Sequence, residues 1–398
     1  MADHVAFNLG RLVVHAAGNR APGTGCPHND AEVSSPGLGF NVLTVGGIDD
    51  VNTAHWSGDE RYACSSFEEY THTEKPELSA PAVSITSTNL DGGWTTETGT
   101  SFAAPAVAGT AALLMADSSW LTPRPELTKA ILMASATHDV YGTSMIDTQE
   151  GVGTINVNQA FRTLKNGWYS YGTLSNLAVG QHHHWTVHAE ADEAVRIVFN
   201  YLSHVGWSSP WGDDRLNSNL DMYVYSPQGA PVATSATGNI FEAVEFVAPT
   251  TGSYDVDMYV QSIPGGDNFE YYGLAWSRSP TYEFTGIVFR GQDSPQHPFT
   301  IPYQGGDVYV HLDMPYYADF DLSAWDYYGR RTGGFTSTDW VVREEIPNSK
   351  YSGRSSRPEW VWVSPSDEPY EFWYVGCYAY SLPSYIPAAR YTITVYVY

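Results

Sequence analysis

GTSFAAPAVAG, residues 99–109, sets a serine between a glycine-bounded turn and an apolar run that continues to Ala116. The run 102–116 is shorter than the roughly 20 residues a membrane span needs, and Pro105 and Gly109 interrupt it, so it predicts a buried core helix. A serine at the amino end of such a helix is well placed for nucleophilic chemistry. The turn exposes the hydroxyl, and the partial positive charge of the helix end favours an oxyanion developing there. The same position also suits an ordinary N-cap serine. Capping, however, does not require the Ala-Ala-Pro and Gly109 that follow Ser101.

Working outward, LVVHAA (12–17) and VLTVGGI (42–48) are short apolar runs rich in β-branched residues and bounded by Gly or Asn, which predicts buried strands. Residues 126–135 follow Pro123 and Pro125 and predict a second helix. Up to about residue 165, strands therefore alternate with helices. That order predicts an α/β domain with a parallel sheet covered on both faces. VVHAAGN (13–19) ends the first strand in Gly-Asn, which is good turn chemistry and also offers an amide donor for an oxyanion. KPELSAPAVSI (75–85) has no evident reactive group and predicts a loop followed by a strand.

Beyond residue 170 the helical pattern stops. Residues 185–189, 221–225, 254–260 and 391–398 alternate or are rich in aromatics, and Gly, Pro and Asn clusters separate them, as in antiparallel sandwiches. An internal repeat divides this half. NLDMYVYSPQG (219–229) parallels FDLSAWDYYG (320–329), with Asp221 opposite Asp321 and Gly229 opposite Gly329. EFVAPTTGSY (245–254) parallels VWVSPSDEPY (361–370), with Tyr254 opposite Tyr370. Two tandem sandwiches, with a boundary near residues 277–281, account for two copies. The expected organisation is an α/β segment over 1–165, a β-sandwich over 170–278 and a second over 280–398.

The chain has 398 residues, 44 acidic against 19 basic, and a net charge of −25. Such a balance excludes a polyanion such as nucleic acid as partner, because that needs clustered Lys and Arg. Four of the basic residues are lysines, and an acidic, Lys-poor surface is compatible with salty or extracellular surroundings. MADHVAFNLG shows no basic segment followed by an apolar one, so no signal peptide is visible. Cys26, Cys64 and Cys377 are too few for a disulfide scaffold, and Cys26 and Cys64 are open to pairing or to remaining free thiols.

Taken together, AAGN, NVLTVGGI, KPELSAPAVSI, GTSFAAPAVAG and the closing GVGTINVNQAF (151–161) resemble, in order and spacing, the subtilisin-like serine proteases. The resemblance covers residues 1–165 and departs mildly at Ala82, where glycine is usual. It implies a serine endopeptidase acting on protein or peptide substrates, with Ser101 as nucleophile and Asn19 in the oxyanion hole. Ala16, Ala17 and Gly18 would line the primary specificity pocket, and no metal or cofactor is implied for catalysis. In that family the Asp and His segments precede the AAGN strand. Neither an Asp-x-Gly strand end nor a His-Gly-Thr helix start occurs in this sequence. The resemblance therefore implies a C-terminal part of a catalytic domain, with its Asp and His supplied by a missing N-terminal segment. Alone, such a part would be nearly inactive and would present an unpaired sheet edge and exposed apolar surface.

Three further histidine groups were candidates for the base. His15 lies inside a strand and reads as a packed residue, and His138-Asp139 falls in a loop after a surface helix. His182-His183-His184 could hold a metal, but alternate strand residues face opposite ways, which favours a solvated strand start. The second half more loosely resembles the pre-peptidase C-terminal domains of secreted proteases, through LDMYVYSPQG and APTTGSY. That implies non-catalytic, jelly-roll-like sandwiches and an extracellular or cell-surface location. Trp207, Trp211, Trp325, Trp360, Trp362 and Trp373 read as core or cross-strand aromatics before a binding platform. Acidic loops such as Asp213-Asp214 and GGDN at 265–268 offer weak structural Ca²⁺ sites. The rival expectation is a non-catalytic surface protein that works through its sandwiches.

Overall fold

Three short parallel strands carry the first part of the chain. In the computed structural model, Val14–Ala16 pairs in parallel with Leu43–Asp49, which pairs in parallel with Leu78–Pro81. The structure describes every residue except 22–25, 27–31, 34, 51–58, 71–72, 138–144, 192, 206–213, 293–296, 301–307, 314–318, 327–349, 352–358, 364–371, 382–386 and 398. His138, Asp139, Trp207, Trp211 and Asp213 thus lie outside the described residues. The chain divides into two units, one of residues 1–191 and 195–278, the other of 192–194 and 279–398.

In the first unit, α1 (Ala2–Leu9) precedes the sheet and helix α2 (Thr100–Asp117) packs on all three parallel strands. Helix α3 (Pro125–Ala134) has its proline in the first turn, where a missing N–H costs nothing. Helix α4 (Val157–Lys165) begins at Asn156, whose side chain accepts from the Gln159 N–H. No helix among the described residues is long and apolar enough to cross a membrane.

KPELSAP holds more than a loop and strand. Glu77 Oε1 lies 2.5 Å from Lys75 Nζ and 2.6 Å from Lys129 Nζ, and Glu77 Oε2 accepts from the Thr44 N–H at 2.7 Å. All three charged side chains are almost fully buried, and both ammonium groups also donate to the Val42 carbonyl. Burial lowers the Lys129 pKa to about 8, against the attraction of Glu77. The cluster ties the second and third parallel strands to α3.

Residues 169–278 of the same unit form antiparallel sheets. His182–Ala189, Gly252–Ser262, Asn219–Tyr225 and Pro231–Ser235 lie side by side in that order. Glu193–Tyr201 sits beside Phe241–Val247 and the start of the long strand Phe269–Phe289, which also pairs with Tyr169–Ser175. Their apolar faces join α2, α3 and the parallel strands in one core, from Leu43 and Leu127 through Phe199 to Met258. Polar contacts reinforce it. Arg196 donates to the carbonyls of Ala136 and Val152, and Asn41 and Ser203 exchange two hydrogen bonds of 2.7 and 2.9 Å.

In the second unit, residues 281–289 of the long strand pair with Ala388–Val397, which pairs with Val308–Asp313. A separate three-stranded sheet runs His297–Thr300, Phe372–Ser381, Asp319–Asp326. The sequence repeat reappears here in the hydrogen-bond register. Asn219 faces Ser262, the register then shifts, and Asp221 faces Tyr259. Asp319 faces Ser381, the register shifts at the same point, and Asp321 faces Tyr378. Both copies thus shift register just before the residue that precedes the repeated aspartate, one residue of the partner strand being skipped.

Candidate active site

The end of the Val14–Ala16 strand and the start of α2 meet through Thr100. Asn19 Oδ1 accepts from the Thr100 backbone N–H at 2.9 Å and from its hydroxyl at 3.3 Å. Thr100 Oγ1 in turn accepts from the Gly18 N–H at 3.1 Å. Because a backbone N–H can only donate, this contact fixes which end of the Asn19 amide is oxygen. Its Nδ2 is left with no partner among the described residues and is available as a donor. Gly99, the residue before α2, has φ +152 and lies so close that a Cβ there would stand 3.2 Å from Asn19 Nδ2. Only glycine meets both demands.

Ser101 follows as the second residue of α2 and is exposed. Neither its hydroxyl nor its N–H has a partner among the described residues. That N–H is one of the first-turn donors a helix cannot satisfy internally. An exposed hydroxyl, a free amide donor and a free backbone donor thus share one helix end, where the dipole favours negative charge.

Ala16, Ala17 and Gly18 form the strand end that leads to Asn19. Ala17 is buried, with its N–H on the Val45 carbonyl at 2.8 Å, and the Gly18 carbonyl accepts from Ser66 at 2.9 Å. Residues 62–66 brace this turn. Ser66 Oγ accepts from Arg20 and Ser65 Oγ from Gly47, each at 2.9 Å. A disulfide joins Cys26 to Cys64 in the same place, resolving the open pairing, and Cys377 is buried and not disulfide-bonded. Ser65 and Ser66 carried no distinctive sequence signal, and Thr100, although inside GTSFAAPAVAG, showed no role by sequence, since a hydroxyl's partner depends on which loop lies beside it. Ala82, where the family usually has glycine, is buried, and its carbonyl accepts from Gly99 at 2.8 Å. Its methyl fits because residue 47 is glycine, where a Cβ would approach it to 2.7 Å.

His15 stays in its strand, its Nδ1 on the Ala16 carbonyl at 2.7 Å. Among the described residues no histidine contacts Ser101. The strand bearing His15 is half exposed and ends its sheet, with Leu43–Asp49 its one strand partner among the described residues. On α2, Pro105, Ala108, Gly109, Ala112, Leu113 and Ala116 are exposed at the spacing of a single stripe that continues from Ser101. Leu113 is 56% exposed. A helix apolar on every side is ordinarily buried all round, whereas this one leaves the stripe exposed.

Residues 1–153 match the Subtilase family (Peptidase_S8). Serine protease AprX of Bacillus subtilis (strain 168) is 34% identical over 133 residues, which are 30% of this chain and 29% of that protein. Subtilisin of Bacillus sp. (strain TA39) is 34% identical over 123 residues, 29% of this chain and 27% of that protein. The chain thus spans less than a third of the length of either relative. Among solved structures, the prenylagaramide maturation protease PagA is 26% identical with a TM-score of 0.32, covering 40% of this chain and 52% of its own. Sphericase is 26% identical with a TM-score of 0.33, covering 39% and 51%.

Proposed function

We propose that this chain is part of a subtilisin-like serine endopeptidase acting on protein or peptide substrates. Ser101 Oγ attacks the scissile carbonyl, while Asn19 Nδ2 and the Ser101 N–H bind the resulting oxyanion. The observation that carries this reading is the Asn19–Thr100 hydrogen bond, which aims a free amide donor beside an exposed serine hydroxyl. Ala16, Ala17 and Gly18 form one wall of the pocket for the residue before the cleaved bond. Serine acyl transfer of this kind uses no cofactor.

The imidazole that takes the Ser101 proton, and the carboxylate that orients it, come in this proposal from a polypeptide segment that covers the α2 stripe and pairs with the free edge of Val14–Ala16. Serine hydroxyls without such a base are weak nucleophiles, and losing the histidine costs about 10⁶ in turnover number. Residues 170–278 and 280–398 are, on this reading, sandwiches of the pre-peptidase C-terminal kind, supported by the shared register shift before Asp221 and Asp321. The Cys26–Cys64 disulfide supports an extracellular or cell-surface location.

Expression together with the coding sequence upstream of Met1 tests the proposal. Casein hydrolysis and fluorophosphonate labelling are expected, both abolished by Ser101→Ala. Labelling that persists in that variant would overturn the assignment. Absence of both activities from the extended protein would favour a binding protein working through its sandwiches.

A further inference from the structure

On the first sandwich, the strand pair His182–Ala189 and Gly252–Ser262 gathers imidazole and carboxylate groups on one face. His182 and His184 are two residues apart and therefore point the same way. Their rings stack with centroids 6.2 Å apart. Across the ladder stands Asp257, whose carboxylate lies 2.9 Å from His182 Nδ1 and 3.9 Å from His184 Nε2. His184 Nδ1 meets Asp255 at 3.1 Å. One ligand atom from each of His182, His184 and Asp257 can be chosen so that all lie within 4.8 Å of one another.

We propose that His182, His184 and Asp257 bind a divalent transition-metal cation, of the Zn²⁺ or Ni²⁺ type, that pins the edge strand His182–Ala189 to its neighbour. Two bonds of about 2.0–2.1 Å at a tetrahedral metal place their ligand atoms about 3.4 Å apart, so small side-chain rotations suffice. Two imidazoles and one carboxylate suit Zn²⁺ or Ni²⁺. Ca²⁺ and Mg²⁺ would demand more oxygens. Asp255 accepts from the Nδ1–H of His184, which presents Nε2 to the metal, the usual arrangement behind a ligating histidine.

Two observations separate this cluster from ordinary surface ion pairing. The Asp257 side chain is 7% exposed, against 49% and 55% for His182 and His184, so a nearly buried carboxylate meets two outward-lying imidazoles. A buried carboxylate is held by a paired, hydrogen-bonding or metal partner, and here the facing imidazoles are groups that also ligate metals. The second sandwich supplies an internal control. Matching Asp221↔Tyr259 to Asp321↔Tyr378 puts Gly376 where Asp257 stands and Tyr374 where Asp255 stands. Since the same register forms without either carboxylate, the carboxylates serve something other than strand pairing.

Zinc titration of the 398-residue chain by calorimetry, with metal content measured after dialysis, tests the site. One equivalent is expected in the native chain, absent from His182→Gln/His184→Gln and from Asp257→Asn, with circular dichroism confirming that each variant is folded. Zinc should raise the melting temperature of the native chain and leave that of the double variant unmoved. Asp255→Asn should keep the stoichiometry and weaken affinity by about 10–100-fold. Equal zinc stoichiometry and affinity in native chain and double variant would overturn the proposal. So would no zinc binding at all, or displacement of zinc by equimolar Ca²⁺.

Discussion

The side-chain oxygen of Asn19 accepts the Thr100 backbone N–H at 2.9 Å, so the residue that precedes Ser101 also sets the direction of the Asn19 amide. One contact between residues 81 apart in sequence thus couples the strand end to the helix start. In the proteolytic reading, Asn19→Ala in the active, extended enzyme lowers kcat by about 10²–10³ with little change in KM, because the lost donor acts on the transition state. Thr100→Val loses the hydroxyl contacts to Asn19 and Gly18 while keeping the backbone one, and a smaller fall in kcat is expected. Steady-state assays on a chromogenic peptide measure both. An Asn19→Ala enzyme of native kcat would remove Asn19 from the oxyanion hole.

Glu77 neutralises Lys75 and Lys129 together. Glu77→Gln leaves two ammonium groups in an almost dry site and is expected to destabilise the first unit by about 3–5 kcal/mol. Lys129→Met, which removes one charge and keeps the packing, should cost less. Urea unfolding followed by tryptophan fluorescence ranks the two. The reverse order would show that Glu77 is not the keystone of the cluster.

The Cys26–Cys64 disulfide closes a loop with a sequence separation of 38. Loop-closure entropy for that span corresponds to about 4 kcal/mol on the chain-entropy account. The paired variant Cys26→Ser/Cys64→Ser should melt well below the native chain. Denatured, unreduced protein should show one thiol by Ellman titration, that of Cys377. Three thiols would refute the pairing.

Glu242 is buried beneath Ser235 and Thr237, and burial raises its pKa to about 8. Burial likewise raises Glu126 to about 7. Between pH 4.5 and those values the folded chain holds protons that the unfolded chain has lost, so stability falls as pH rises through this window. His204 acts in the same direction. Burial opposes its charge, but Glu270 at 3.1 Å and Asp267 at 2.9 Å outweigh that and raise its pKa, and the stability this adds is lost as pH climbs past the raised value. Chemical unfolding at pH 5 and pH 8 should show a decline on the order of 4–7 kcal/mol. Glu242→Gln should flatten it, and a variant with the native slope would place the titration elsewhere.

Much of the site was readable along the chain because its parts are local. Gly99 before the helix, Ser101 at its start and the Gly18-Asn19 turn each answer to near neighbours and to backbone geometry. The repeat was visible through Asp221 and Asp321, although the register shift before each was not. KPELSAP looked inert because Lys129, the second cation on Glu77, lies 52 residues farther on. The histidine triplet looked like a solvated strand start because its carboxylate, Asp257, is 75 residues from His182.

Read alone, the chain shows the alternation of strands and helices up to residue 165, the β-rich remainder, a serine at a helix start and, separately, an asparagine at a strand end. Periodicity, turn residues and helix starts depend on a few adjacent side chains. Only the tertiary structure decided the buried Lys75–Glu77–Lys129 cluster, the Cys26–Cys64 bond, the open α2 stripe and the His182–His184–Asp257 face. Each depends on which distant segments lie side by side, and that is set by the packing of whole sheets and helices.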